Sequence, residues 1–411
     1  MRDRRPRRVS GPGPSSLPAA LVCACLIASS LGCVTAGLVE TTVAYYDAGP
    51  KEALEVLEHE AVRRQDAVLA GMERAVALQE LGDYESSNES LLQCTRAIEA
   101  AAIGPGEGVA RVLAGDQAGV YRGEHFEQVY LHTLAAANYL AMQQVAEADA
   151  ELALARDLID SHSCPACRFT FTRYLSALCR EHRGAFQEAL DLVAECLVET
   201  SGVSFLEREA ERLAARVDGL PGLAPPPVER RGERTLYLLL LLGHGPEKVE
   251  GALPLPPSHA VTWPRYVPRM SGMTGGAVLT VEDHGTYEAV LLTDVLELAR
   301  ASLHSRLTSL VAGEVGGAVA KEVVIREVGE DRGFGAELLA RFLFSLGDRA
   351  DLRHWSSLPD SCLVLRAPVP TGVARCTLTY TDAWGDQVDT EILPIPEWWT
   401  RGPLFITRRM P

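Results

Sequence analysis

The strongest constraint on the fold is a string that recurs through the first half of the chain: a helix-stopping turn, then at once a new helical start. Its four copies are Tyr45-Tyr46-Asp47-Ala48-Gly49-Pro50-Lys51-Glu52-Ala53-Leu54, Leu81-Gly82-Asp83-Tyr84-Glu85-Ser86-Ser87, Leu140-Ala141-Met142-Gln143-Gln144-Val145-Ala146-Glu147-Ala148 and Arg183-Gly184-Ala185-Phe186-Gln187-Glu188-Ala189-Leu190. Three copies carry a glycine, which closes a helix because it enters the left-handed region without a Cβ clash. Between the copies, residues 38 to 217 are rich in alanine and leucine at helical spacing. Ala53 and Ser87 stand 34 residues apart, and the later steps of 61 and 41 imply an insertion around Ile103 to Gly123 and a lengthened loop. Helical hairpins are therefore expected over this half.

Each string resembles the turn and second-helix start of a tetratricopeptide repeat, whose period is about 34 residues and in which an aromatic and an alanine wedge one helix against the other. Such repeats stack and offer a concave surface to protein partners. An irregular helical bundle is the alternative, because any alanine- and leucine-rich hairpin gives similar strings.

Pro221, Pro225, Pro226 and Pro227, with Gly219, Gly222 and Gly232 around them, cannot continue a helix. Residues 218–233 read as a linker. Beyond it the pattern changes, with short apolar or alternating runs at Thr235 to Leu242, Ala277 to Val281, Tyr287 to Leu292, Cys362 to Arg366, Arg375 to Tyr380 and Gln387 to Leu393. Two helical segments, Asp294 to Arg326 and Gly335 to Leu346, lie between them. The fold class is α+β overall: an all-α N-terminal part of helical hairpins over 33–217, then an α+β domain over 234–411. Leu236 to Leu242 is too short to span a bilayer and reads as a buried strand.

The first 32 residues are read as an export signal. Arg2, Arg4, Arg5, Arg7 and Arg8 precede the apolar stretch Ala19 to Ile27, and Ser30-Leu31-Gly32 leads to Cys33. Cys33 is the expected lipidation site of a bacterial lipoprotein, palmitate being among the acyl groups expected there. Its cleavage box is irregular, with Ser30 where a leucine usually stands. Cleavage after Val34-Thr35-Ala36, giving a soluble periplasmic or secreted protein, and retention of residues 17–37 as an N-terminal membrane anchor are the alternatives. Val34 after the cysteine is not an inner-membrane retention aspartate, so the expected location is the outer membrane, facing the periplasm.

At 411 residues, 47% of them hydrophobic, the chain can fill two cores. Its net charge is −16, and residues 1–32 hold five arginines against one aspartate, so without them the charge is −20. A surface this acidic repels phosphate backbones, and no nucleic-acid partner is expected.

Tyr121-x-Gly123-Glu124-x-Phe126-Glu127-x-Val129-x-Leu131-His132, leading to Ala137-Asn138-Tyr139-Leu140, resembles the helical signature of a poorly characterised family of bacterial TPR-type envelope lipoproteins. Gly243-x-Gly245-Pro246-x-Lys248, Pro254-Leu255-Pro256 and Trp355-x-x-Leu358-Pro359 are similar to that family's C-terminal half. The resemblance implies an exported, lipid-anchored protein linked to envelope assembly. It implies no established activity.

Catalytic signatures are thin. Gly243-His244-Gly245-Pro246-Glu247-Lys248 lacks the Gly-Lys-Ser/Thr ending of a phosphate loop and reads as a tight turn with a solvated lysine. His132 reads as a packed or surface residue, and Gly313-Glu314-Val315-Gly316-Gly317 as a helix break. No cofactor, metal or catalytic residue is assigned. Cys164-Pro165-Ala166-Cys167 has dithiol spacing and reads first as a structural disulfide, with free thiols, zinc ligation or catalysis as the alternatives. Cys179 with Cys196, and Cys362 with Cys376, are candidate further disulfides, and Cys94 is the expected unpaired cysteine.

Two functions compete. The first is a non-enzymatic envelope scaffold that binds protein partners through the repeats, held to the membrane by its lipid. The second is an envelope-polymer hydrolase in the α+β domain, using Glu282, Asp283 or Asp294 near His284.

Overall fold

Residues 36–60, 62–103, 120–200, 202–217, 233–255, 259–269, 274–315, 351–400 and 402–410 are described by the computed structural model. The expected export signal, Cys33, the expected linker 218–233 except Glu233, which begins a strand, and the expected helix Gly335 to Leu346 lie outside them.

Helices come first: α1 (Ala36–Asp47), α2 (Pro50–His59), α3 (Ala67–Glu80), α4 (Tyr84–Ile103), α5 (His125–Ala141), α6 (Val145–Ser161), α7 (Thr170–His182), α8 (Phe186–Glu199) and α9 (Ser204–Val217). They pair in chain order as antiparallel hairpins, α1 with α2, α3 with α4, α5 with α6 and α7 with α8, and successive hairpins stack. All four recurring strings are hairpin turns. Gly49, Gly82, Gln143 and Gly184 stand in them at φ 107°, 79°, 61° and 79°. In three of the turns the next amide reaches back to the carbonyl five residues earlier, as Asp83 to Leu78 at 2.9 Å, Gln144 to Tyr139 at 2.8 Å and Ala185 to Arg180 at 2.9 Å. This bond satisfies a helix-end carbonyl that would otherwise lack a donor.

Small and polar side chains set how closely the hairpins stack. Ser87 Oγ donates to Ala75 O at 2.7 Å, which lets α4 lie against α3. The fully buried Asn138 of α5 accepts from Gln79 at 2.7 Å and donates to Ser87 and Asn88 at 2.9 and 2.8 Å. Its amide is thereby satisfied across three helices.

The strands are β1 (Glu233–Leu242), β2 (Glu247–Leu255), β3 (His259–Val267), β4 (Thr274–Val281), β5 (Gly285–Glu288) and β6 (Val290–Asp294). After α10 (Val295–Val315) come β7 (Ser361–Pro370), β8 (Arg375–Asp382), β9 (Gln387–Pro394) and β10 (Leu404–Met410). They form one sheet of order β10-β1-β7-β6, the hairpin β2-β3, and a second sheet of order β5-β4-β8-β9. β1 runs parallel to β10 and antiparallel to β7.

The apolar run in β1 is explained by its place between two layers. Tyr237, Leu239 and Leu241 join a buried cluster with the helices, whereas Leu236, Leu238, Leu240 and Leu242 join a second cluster with the other sheet. A strand covered on both faces reads as continuous rather than alternating hydrophobicity. The first cluster runs from Leu38 to Phe405, so the hairpins and the first sheet share a core. Among the described residues no helix is long and apolar enough to cross a membrane.

Three elements differ from the sequence-based expectation. Tyr287 to Leu292 is not one strand, because the chain changes sheets at Ala289: β5 pairs with β4, and β6 pairs with β7. The β2-β3 hairpin and β10 were not anticipated. Pro254 and Pro264 disguise the hairpin, and Arg408 and Arg409 break up the apolar signal of β10.

Candidate functional site

The three conspicuous motifs of the sequence meet at one junction between the halves. Gly245 lies so close to the coil after residue 350 that a Cβ there would stand 2.4 Å from Leu358 O. That contact brings Gly243-x-Gly245-Pro246-x-Lys248 against Trp355-x-x-Leu358-Pro359. Lys248 then reaches the third motif at the start of α5, with its Nζ 2.6 Å from Glu124 Oε1 and 3.3 Å from Arg353 O. The lysine is not solvated as the turn's composition suggested; it is 5% exposed, because the two coils close over it.

Glu124 also accepts from Arg306 at 2.8 and 3.0 Å. Burial alone would raise its pKa, but Lys248 and Arg306 outweigh burial and hold the carboxyl at about 2. Glu127, one turn on, is fully buried and accepts from Trp355 N at 2.8 Å, Glu124 N at 2.7 Å and Tyr121 OH. Burial pushes it up to about 7 against the pull of those donors. Arg353 completes the set, pairing with Asp66 at 3.3 Å and Asp351 at 2.8 Å. Each buried charge has a partner of opposite sign or a set of donors, the condition under which burial is tolerated.

A cleft of about 530 Å³ opens beside this junction, between α1, α3, the β1–β2 turn and the coil 351–360. Leu38, Val39, Val43 and Leu69 make its apolar wall, and Val39 and Val43 are 46% and 53% exposed at its mouth. The opposite wall is polar. Ser356 donates to the buried Glu73 from both its amide and its hydroxyl, at 2.8 and 2.7 Å, and burial raises the Glu73 pKa. Tyr46 OH donates to Ser356 O at 2.5 Å, and its ring lies 3.9 Å from that of His244. Arg269 sits 5.1 Å over the Tyr46 ring and donates to His354 Nε2 at 3.3 Å. His354 Nδ1 is 2.9 Å from Leu352 O, so the neutral ring carries its proton there. Burial first, and the Arg269 charge with it, lower His244 and His354 to about 4. At neutral pH the positive charge on this wall is therefore carried by Arg269 rather than by the two histidines, and the exposed Glu247 lies at the rim. The Ser356 hydroxyl is engaged by the Glu73 carboxylate and by Thr42 Oγ1, the latter at 2.8 Å.

The other residues singled out from the sequence are dispersed. Glu282-Asp283-His284 forms the β4–β5 turn, with Asp283 at φ 61° and the His284 amide on Val281 O at 2.9 Å. Asp294, at the end of β6, accepts from Glu297 N at 2.9 Å and caps α10. His132 is packed against Glu151, 2.7 Å from its carboxylate. Cys164 and Cys167 are joined by a disulfide.

The other cysteines among the described residues are free and buried, which corrects two candidate pairings. Cys362 faces the helices, its Sγ 3.3 Å from Tyr130 OH, while Cys376 lies in the core between the sheets. The two faces of β7 separate them. Cys196, on α8, packs against the start of α7, its Sγ 3.6 Å from Thr170 O, whereas Cys179 lies on α7 nine residues beyond Thr170, roughly 13 Å at 1.5 Å per residue. A disulfide needs Cα atoms within about 7 Å. Cys94 is a free thiol donating to Val68 O at 3.3 Å.

Lys248, Glu127, Arg353 and Arg269 carry the junction and its cleft without having been singled out for those roles. Lys248 and Glu127 stood inside quoted motifs, but only the fold shows what they face. No family model, curated protein or solved structure matches the chain.

Proposed function

We propose that this protein is an exported, lipid-anchored envelope protein of the TPR-type family its motifs resemble, and that it acts as a non-enzymatic scaffold for other envelope proteins. The observation that carries the scaffold reading is the cleft beside α1, whose mouth exposes Val39 and Val43 while Arg269 on its wall and Glu247 at its rim offer polar anchors. An apolar recess rimmed by a few polar groups suits a short segment of a partner protein.

The inner face of the hairpins does not serve this purpose, because the chain's own second half occupies it. Tyr130 of α5 contacts Cys362, Phe171 N of α7 bonds Thr293 Oγ1 at 3.0 Å, Ala137 O accepts from Thr407 at 3.1 Å, and Glu209 of α9 pairs with Arg366 at 3.2 Å. A partner therefore meets the repeats at their first hairpin. That end follows Cys33 by three residues, which places it at the membrane surface if the cysteine is acylated.

The test is crosslinking in the native envelope followed by identification of the captured protein. Val39→Glu with Val43→Glu is expected to abolish capture of a defined envelope partner, while Leu92→Glu on α4, 45% exposed and away from the cleft, leaves it intact. Equal capture by both variants would sink the reading.

A further inference from the structure

We propose that the Cys164–Cys167 disulfide is a thiol–disulfide exchange site that accepts electrons from an external dithiol, a role independent of partner binding at α1. The bond joins residues only three apart. A loop this short restrains the unfolded chain least of all, so stabilisation is a weak reason for it.

The loop is also held without it. Cys167 N donates to Cys164 O at 3.0 Å, Ser305 Oγ of α10 donates to Ser163 O at 3.0 Å, and Phe169 is 1% exposed beneath. A reduced pair would therefore stay preorganised for reoxidation. The two residues differ in exposure. Both line a cleft of about 440 Å³, where Cys164 is partly exposed, with its Sγ 3.7 Å from Ala301 O, and Cys167 is 7% exposed.

The surroundings favour Cys167 as leaving group. It stands two residues before the N-cap of α7, and Arg168 lines the cleft. Cationic side chains and helix N-termini stabilise thiolates. Asp160 and Glu199 line it too, but Glu199 is engaged by Arg173 at 2.9 Å and Thr170 at 2.9 Å. The other described cysteines are shut away, with burial pushing Cys94, Cys179 and Cys362 up to about 12 and Cys376 to about 11. Burial raises Cys196 likewise.

In the exchange, a thiolate of the external dithiol attacks Cys164 Sγ. The S–S bond breaks, its electron pair leaves on Cys167, and that thiolate takes a proton from solvent. The dithiol's second thiolate then attacks its own sulfur in the mixed disulfide and expels Cys164 as thiolate, which is protonated in turn. The protein gains two electrons and two protons, and the dithiol becomes a disulfide.

The test is native incubation of the mature chain in mixtures of reduced and oxidised glutathione, followed by acid quench and maleimide mass-tagging in denaturant. Two tags per chain beyond those on the free cysteines Cys94, Cys179, Cys196, Cys362 and Cys376 are expected to appear across the physiological range of glutathione ratios, with circular dichroism unchanged. Tags that appear only after unfolding would overturn the proposal. As a second arm, folded Cys167→Ser, which leaves Cys164, is expected to react with 5,5′-dithiobis(2-nitrobenzoate) about tenfold faster than folded Cys164→Ser. Equally slow reaction of the two variants also overturns it.

Discussion

Glu124 and Lys248 lie 2.6 Å apart and are each 5% exposed, so neither charge has water to fall back on. Removing one partner strands the other, whereas replacing both by neutral groups of similar shape removes the problem. Glu124→Gln is expected to destabilise the protein by about 3–5 kcal/mol in urea unfolding, and Glu124→Gln with Lys248→Met to recover a large part of that loss. The pH dependence follows in sign. The Glu124 carboxyl at about 2 lies below its ordinary value, so its contribution is present above the usual carboxylate range and is lost as pH falls towards 2. Glu127 acts in the opposite direction. Its folded pKa of about 7 is raised, so stability falls as pH rises from the usual carboxylate range to 7, and Glu127→Gln should flatten that fall in a series of melts between those limits. Gln143 shows how a strained residue is retained: it holds φ 61°, and its amide donates to Phe405 O at 2.9 Å and accepts from Phe405 N at 3.4 Å. The tie to β10 offsets the backbone cost.

At the scale of elements, the hairpin turns are the part of the fold most directly written in local chemistry. Gly184 stands at φ 79° with nothing within 4 Å of a Cβ built on it, so a substitution there meets backbone strain and no clash. Gly184→Ala is expected to cost about 1–2 kcal/mol and Gly184→Asn less, measured by thermal unfolding. The turns were legible in the sequence because glycine, or a tolerated glutamine, is a local requirement. The strands were legible where one periodicity ruled, as in β8, where Cys376, Leu378 and Tyr380 face the core and alternate with threonines. β10 was not legible, because Arg408 and Arg409 find partners outside the strand, Glu391 on β9 at 2.7 Å and Tyr45 at the other end of the chain at 2.8 Å.

At the scale of the molecule, the shared cluster couples the hairpins to the first sheet, and the inner-face aromatics Tyr130, Phe171 and Tyr174 are covered by the second half. Residues 36–217 expressed alone would expose those rings. Such a fragment is expected to bind a hydrophobic dye such as ANS and to lose its sharp melting transition, whereas a chain that keeps both halves melts in one step. A fragment that melts cooperatively without dye binding would show that the hairpins do not need the sheet. The same coupling explains why partner binding is assigned to the cleft at α1 and not to the inner face: that face is already filled by a tethered ligand, the chain itself.

The sequence by itself determined what depends on neighbours a few residues apart: four helical hairpins, the turn residues that close them, a doubly buried strand at Leu236 to Leu242, and the change from helix to sheet after the proline cluster. Only the tertiary structure decided what depends on which layers and distant segments meet, such as Glu127 meeting Trp355, Lys248 meeting Glu124, and Cys362 and Cys376 lying on opposite sides of β7. The physical reason is that helix periodicity and turn conformation are short-range steric facts, while a buried charge is placed by whichever distant group can satisfy it once the core has closed.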